Sequence, residues 1–249
     1  MRLFAVLVPL GLLIFAGRLP AKEIDHAYQY KACMALSKAS PEEALETAFR
    51  WRDLGGGDAA EHCVAAALIG LGHYVDAAGR LEALAERAKE NPSVKAGLLA
   101  HAAQAWLLEG NAPRAEAVLT AALGLTPWDA ALMVDRAQAR AEQRDYAGAV
   151  EDLDRAIARE DRRADAYVFR ATAYRYLDKL ELALADIEKA LDLQPSHIEG
   201  LLERGILKRL RRDDDGARQD WLAILRIAPD SPAADAARLN LEKMDFKPD

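Results

Sequence analysis

The sequence predicts an all-helical solenoid of about six antiparallel helix pairs, closed by a single C-terminal helix. Three observations carry this reading. Apolar residues recur at helical spacing: Tyr167, Ala171 and Tyr174 mark one helix face, and Leu180, Ala183, Leu184, Ile187, Ala190 and Leu191 mark a second. Between the two runs Asp178-Lys179 forms a polar corner, and Pro195 stops the second helix because its ring cannot continue one. The same arrangement returns along the chain at intervals of 34 residues. No stretch alternates apolar and polar β-branched residues, so no sheet is expected.

The chain has 249 residues, enough for a substantial core, and its 51% hydrophobic content argues for an ordered protein. Aromatics contribute only 6%, which suits helices packed closely through Ala and Leu. Residues 1–21 stand apart. Arg2 supplies a short basic start, Leu3 to Gly17 is apolar, and Leu19-Pro20-Ala21 offers a small residue for cleavage. The apolar run is broken by Pro9 and Gly11 and is shorter than the roughly 20 residues a membrane span needs. A cleaved signal peptide is expected, hence a periplasmic or secreted protein with no membrane span after cleavage. The alternative is an uncleaved N-terminal anchor and a membrane-anchored chain.

Positions are counted from the start of each unit. Residues 164–197 place Tyr167 at 4, Ala171 at 8, Tyr174 at 11, Ala183 at 20, Ala190 at 27 and Pro195 at 32. Residues 198–231 repeat this with Leu201, Gly205, Ala217, Trp221 and Pro229 at 4, 8, 20, 24 and 32. Upstream, 130–163 carries Ala137, Ala149 and Ala156, and 96–129 carries Ala103, Ala115, Ala122 and Pro127. Units 58–91 and 25–57 fit more loosely: four extra residues through Lys95 follow the first of these, and the second ends one residue short in Gly55-Gly56-Gly57. Position 8 is always Ala or Gly and position 20 always Ala, as a close approach of two helices requires. Residues 232–243 read as a capping helix, and 244–249 as a frayed tail.

On these residues the chain resembles the tetratricopeptide-repeat family over positions 25–243. The resemblance implies a right-handed superhelix whose concave face is lined by the first helix of each pair. It also implies a protein or peptide partner bound there. The Lys and Asn pattern of family members that clamp a C-terminal carboxylate is absent, so that specificity is not carried over. The groove is expected at Val134, Val168 and Leu202 at position 5 and Gln104, Gln138, Thr172 and Ile206 at position 9, rimmed by Arg175, Tyr176 and Arg209. It would suit a helix or an extended apolar peptide.

Charge adds a second pattern. Arg136, Arg170 and Arg204 occupy position 7, and Asp152, Asp186 and Asp220 occupy position 23, in three successive units. Opposite charges keeping one step predict a structural ladder of bidentate pairs; the alternative is a row of arginines presented to an acidic ligand. The only cysteines, Cys33 and Cys63, lie on adjacent first helices, and in an exported protein they are expected to pair. Inert buried thiols are the alternative. His62, Cys63, His73 and Cys33 lack any established ligand spacing, so neither a metal nor a cofactor is expected. His26, His101 and His197 read as ordinary surface or groove residues, and Asp213-Asp214-Asp215-Gly216 as a solvated turn. A formal charge of −7 and pI near 5.4 argue against a nucleic-acid partner. With no phosphate loop, nucleophile elbow or spaced catalytic pair, a binding scaffold is expected over an envelope enzyme.

Overall fold

The computed structural model describes residues 24–88 and 91–245, so the signal peptide expected at 1–21 and residues 246–249 lie outside the described part. Six helix pairs follow one another. They are α1 (His26–Ala39) with α2 (Pro41–Trp51), α3 (Gly57–Gly70) with α4 (Tyr74–Arg87), and α5 (Pro92–Leu108) with α6 (Ala112–Leu125). Next come α7 (Ala130–Glu142) with α8 (Tyr146–Arg159), α9 (Ala164–Tyr176) with α10 (Leu180–Leu193), and α11 (Ile198–Leu210) with α12 (Asp214–Ile227). A single helix, α13 (Pro232–Asp245), closes the array, and no strand occurs among the described residues. Each helix packs on its sequence neighbours, and odd-numbered helices of successive pairs also lie side by side, except that α3 and α5 stay further apart. The architecture is a helical-hairpin solenoid.

Local chemistry sets the helix ends. Side chains of Asp25, Asn91, Asn111, Asp129, Asp145 and Asp213 each accept a backbone N–H at a helix start. The corner between paired helices puts position 15 in the left-handed region: Gly72 and Gly110 in two units, then Arg144, Asp178 and Arg212 in the last three. Glycine adopts that conformation without penalty, whereas the three later corners hold it with a β-carbon in place.

The two irregularities in the repeat have structural causes. The extra residues up to Lys95 become an added turn of α5, which has 17 residues against 13 in α7. A helical turn takes 3.6 residues, so an insertion of this size nearly preserves the apolar phase downstream. The Gly55-Gly56-Gly57 run carries the chain from α2 into α3 through a π-helical turn, Arg52–Gly56.

Close approach of the paired helices dominates the core. Ala44, Ala77, Ala115, Ala149, Ala183 and Ala217 at position 20 are all buried, as are Ala65, Ala103, Ala137, Ala171 and Gly205 at position 8. Ala32 departs from this expectation and is exposed. Helix α1 begins one residue later than its counterparts and turns through Ser40 alone, so Cys33 takes the buried place that Ala32 was expected to fill. The C-terminal boundary also moves: α13 runs to Asp245, so Met244 and Asp245 belong to the cap and not to a frayed tail. Met244 packs against the C-terminal core, and the Arg218 guanidinium on α12 holds the Asp245 carboxylate.

Gly205 shows how tight the approach is. A β-carbon there would collide with the indole of Trp221, which occupies position 24 where other units carry Leu153 or Ile187. Gly205→Ala is expected to destabilise the fold by about 1–3 kcal/mol, the usual cost of overpacking. Adding Trp221→Leu should recover most of that loss in chemical denaturation; a Gly205→Ala protein as stable as wild type would refute the steric account.

Candidate functional site

The Arg–Asp pairs form three copies of one geometry. In each, Nε and Nη2 of the arginine donate to the two oxygens of one carboxylate: 2.8 and 2.6 Å for Arg136–Asp152, 2.7 and 2.8 Å for Arg170–Asp186, 2.9 and 2.6 Å for Arg204–Asp220. The aspartates are buried, and these hydrogen bonds hold all three guanidiniums above the ordinary arginine value despite the opposing cost of burial. The remaining nitrogen, Nη1, reaches back a unit: Arg136 to Thr120 at 3.3 Å and Arg170 to Asp154 at 2.7 Å, both at position 25. Each rung of the first two therefore ties a first helix to its own partner and to the second helix of the preceding pair. Repetition at positions 7 and 23 was visible in the sequence; the backward link through position 25 was not.

The N-terminal pairs are held differently. Cys33 and Cys63 form a disulfide across α1 and α3, with Cα atoms 6.1 Å apart. Arg80 on α4 pairs with Glu61 on α3 at 2.5 Å, a rung with the charges exchanged between the helices. The Trp51 indole donates to His26 Nδ1 at 3.0 Å. Tyr30, His62 and His101 form a chain, with Tyr30 Oη 2.9 Å from His62 Nδ1 and His62 Nε2 2.8 Å from His101 Nδ1. Burial lowers the basicity of both imidazoles; for His62 the charge of His101 adds to burial and brings the value to about 4. His101 is thus part of a polar link from α3 to α5, a role that separations of 32 and 39 residues hide from sequence reading. His73 is exposed and takes no part in it, and among the described residues no three of His, Cys, Asp and Glu gather around a metal-sized site. In the acidic corner, Asp213 caps α12 by accepting from Gly216 N at 2.9 Å.

Three neighbouring cavities that share lining residues run along the odd-numbered helices as a trough, the third walled also by α8. The first, about 540 Å³, lies among α1, α3 and α5 and includes Met34, Ile69, His101 and Gln104. The second, about 290 Å³, shares His101 and Gln104 with it and adds Leu107, Asp135 and Gln138 between α5 and α7. The third, about 870 Å³, shares Gln138 and extends to Phe169, Thr172, Tyr146 and Tyr176. Tyr146 and Tyr176 stack with centroids 4.5 Å apart and planes within 3°, and the Arg175 guanidinium lies 4.4 Å from the Tyr176 ring centre. The amides of Gln104 and Gln138 bond to no protein group among the described residues, which leaves them able to meet a ligand.

Several expected groove residues lie elsewhere. Val134 and Val168 are buried and do not line the trough. Position 5 packs against a neighbouring unit; a β-carbon on Gly200 of α11 would sit 3.4 Å from Val168 Cγ2. Leu202 and Ile206 are half-buried against the C-terminal core. Arg175 is engaged with Glu203 at 2.5 and 3.2 Å, and Arg209 donates to the Asn240 carbonyl of α13 at 3.4 Å. Gln104, Gln138, Thr172 and Tyr176 remain on the trough, and sequence reading missed Asp135, Phe169 and Tyr146.

Asp135 is its electrostatic anomaly. Burial pushes this carboxyl up to about 6; Arg163 opposes the shift, while Asp129 and Asp165 add to it. No hydrogen-bond donor or ion-pairing cation reaches it among the described residues.

No family model matches this chain. It is similar to Tetratricopeptide repeat protein 36 of Xenopus tropicalis, with 36% identity over 96 residues, 36% of this chain and 46% of that protein. The human protein of that name is 35% identical over 91 residues, so the chain spans about half the length of the curated relatives it matches. Among solved structures, MamA residues 41–end from Desulfovibrio magneticus RS-1 superimposes with TM-score 0.57 at 20% identity, covering 69% of this chain and 95% of that one. YrrB, described as a TPR protein with an unusual peptide-binding site, gives TM-score 0.53 at 20% identity over 71% and 90%. The fold is that of a tetratricopeptide-repeat solenoid.

Two outcomes follow from the site's electrostatics. Asp186→Ala leaves Arg170 partly buried without its fork, at a cost of about 3–5 kcal/mol. A double-mutant cycle between Arg170 and Asp186 should return a coupling energy above about 1 kcal/mol; a value near zero would deny the rung its structural role. The second outcome concerns Asp135. Its folded value lies above the ordinary carboxylate value, so its favourable contribution is present below that ordinary value and lost as pH rises through about 6. Asp135→Asn should therefore stabilise the protein at pH 7.5 by about 1–3 kcal/mol, with the advantage shrinking below pH 4 in denaturant titrations. A destabilised Asn variant at pH 7.5 would contradict this.

Proposed function

We propose that this protein is an exported, non-catalytic scaffold that binds a segment of a protein partner along the trough of its odd-numbered helices. The carrying observation is that the three cavities follow one another from α1 to α9 and share His101, Gln104 and Gln138 as common walls, which supports reading them as one path. Such a path is preformed, because each wall is a helix fixed by its own pair and by the neighbouring unit. It combines apolar surface with two amides able to meet a peptide backbone, the chemistry of extended-segment recognition. The same fold carries a peptide-binding site in YrrB. Export is supported by the character of residues 1–21 and by a disulfide, which persists in oxidising compartments and is rare in reducing ones.

The test is to plug the trough. Gln138→Trp with Thr172→Trp fills the junction and the large cavity from half-buried positions, sparing the buried valines, and circular dichroism checks that the variant folds. In affinity capture from the native host, wild type should retain a defined partner that the plugged variant loses. Equal capture by a folded plugged variant would place binding on another face. N-terminal sequencing of the mature chain separates a released scaffold, starting near Lys22, from one tethered through an uncleaved leader.

A further inference from the structure

Position 6 of the first helices distinguishes one side chain from its five equivalents. Tyr30 hydrogen-bonds His62, Cys63 is bridged to Cys33, His101 hydrogen-bonds His62, and Glu203 sits in the fork of Arg175. Phe169 is apolar and lines the largest cavity. The sixth, Asp135, is a carboxylate on the wall of the middle cavity with no such partner among the described residues. Its charged and titratable surroundings are Arg163 in the α8–α9 connection, Asp129 ahead of α7, Asp165 on α9 and His101 across the cavity. Arg163, the cation of this group, is bound to Glu160 at 2.9 Å and to Asp165 at 3.4 Å. The basicity of His101 lies below the ordinary imidazole value through desolvation, which makes it a weak source of opposing charge. The middle cavity therefore offers a carboxylate that has neither a hydrogen-bond donor nor an ion-pair partner among the described residues, beside the amides of Gln104 and Gln138.

The neighbouring geometry sets a spacing. Asp135 is on α7, whereas Phe169 and Tyr176 of the aromatic cavity are on α9, the next odd-numbered helix. Packed helices lie roughly 8–10 Å apart, and an extended chain advances about 3.3 Å per residue, so one helix-to-helix step takes about three residues. We infer that the trough takes an extended peptide segment whose lysine or arginine pairs with Asp135, about three residues from an apolar or aromatic side chain seated beside Tyr146 and Tyr176. The inference rests on the reading of the trough as a peptide site and adds the chemical class of the peptide. Charge complementarity decides between occupants: an acidic or wholly apolar segment would leave a carboxylate desolvated and unpaired, which is costly.

The experiment selects displayed random peptides of about ten residues, long enough to cross three helices when extended, on the full chain and on its Asp135→Asn and Asp135→Lys variants. Wild type should enrich peptides with Lys or Arg at a fixed offset from an aromatic or large apolar residue. Synthetic versions of these peptides should bind the Asn variant at least about tenfold more weakly. The Lys variant should prefer copies in which the basic residue is replaced by Glu. Binding to wild type should weaken between pH 7.5 and pH 5, as Asp135 takes up a proton, while the residual binding of the Asn variant does not weaken in parallel. Enriched peptides without a basic residue, or with one indifferent to both variants, overturn the charge assignment and leave the trough reading standing. No enrichment at all overturns both. If Asp135→Lys instead dissolves a dimer seen in sedimentation equilibrium, the occupant is a second copy of this chain and the peptide class assigned here is wrong.

Discussion

Two helices of each pair can approach this closely only where neither carries more than a methyl group, and the rest of the structure answers to that constraint. The alanines of positions 8 and 20 give up volume to bring backbones together, so each pair buries little apolar area of its own. A pair so built is not stable alone and must be covered by its neighbours, which is why the unit recurs and why α13 is needed to close the last face. The same constraint explains Trp221. Where position 8 gives up even its β-carbon, at Gly205, the facing helix fills the space with an indole whose Nε1 donates to the Leu202 carbonyl at 3.3 Å.

Short interhelical spacing also makes the polar ladder possible. An arginine at position 7 reaches an aspartate 16 residues later with both fork nitrogens, which leaves the buried carboxylate satisfied and the charges neutralised. A burial of this kind gives specificity of register more than net stability, because a slipped helix would leave both charges unpaired. The N-terminal pairs lack these rungs and use other means: a disulfide, an inverted Arg80–Glu61 pair and the Tyr30–His62–His101 chain. The chain thus has two chemically distinct halves on one architecture.

What the sequence made legible follows from what repetition encodes. A 34-residue step records every constraint that recurs in each unit, so helix pairs, corner positions and Arg–Asp rungs could be read from phase, whereas the cysteine pair needed the expectation of export as well. Ala32 misled because the phase slips by one where the corner shrinks to Ser40, a deletion compensated within α1. Val134 and Val168 misled for another reason. A first helix here touches its partner, the units before and after, and solvent, so its apolar residues exceed those a groove would need. Apolar character alone cannot separate an inter-unit contact from a trough wall. Asp135 was invisible because its meaning lies in what is missing, and a missing partner can be recognised only in three dimensions.

A solenoid can tolerate such a residue better than a globular core can. Coupling between units is local, so the free-energy cost of an uncompensated carboxylate falls on the α5–α7–α9 neighbourhood and is not propagated along the array. In the same neighbourhood the Arg136–Asp152 and Arg170–Asp186 rungs fix α7 and α9 to their partners. On the proposed reading, a group destabilised in the empty trough and stabilised by an incoming cation would make binding selective for charge, because the discrimination would be built into the unoccupied state.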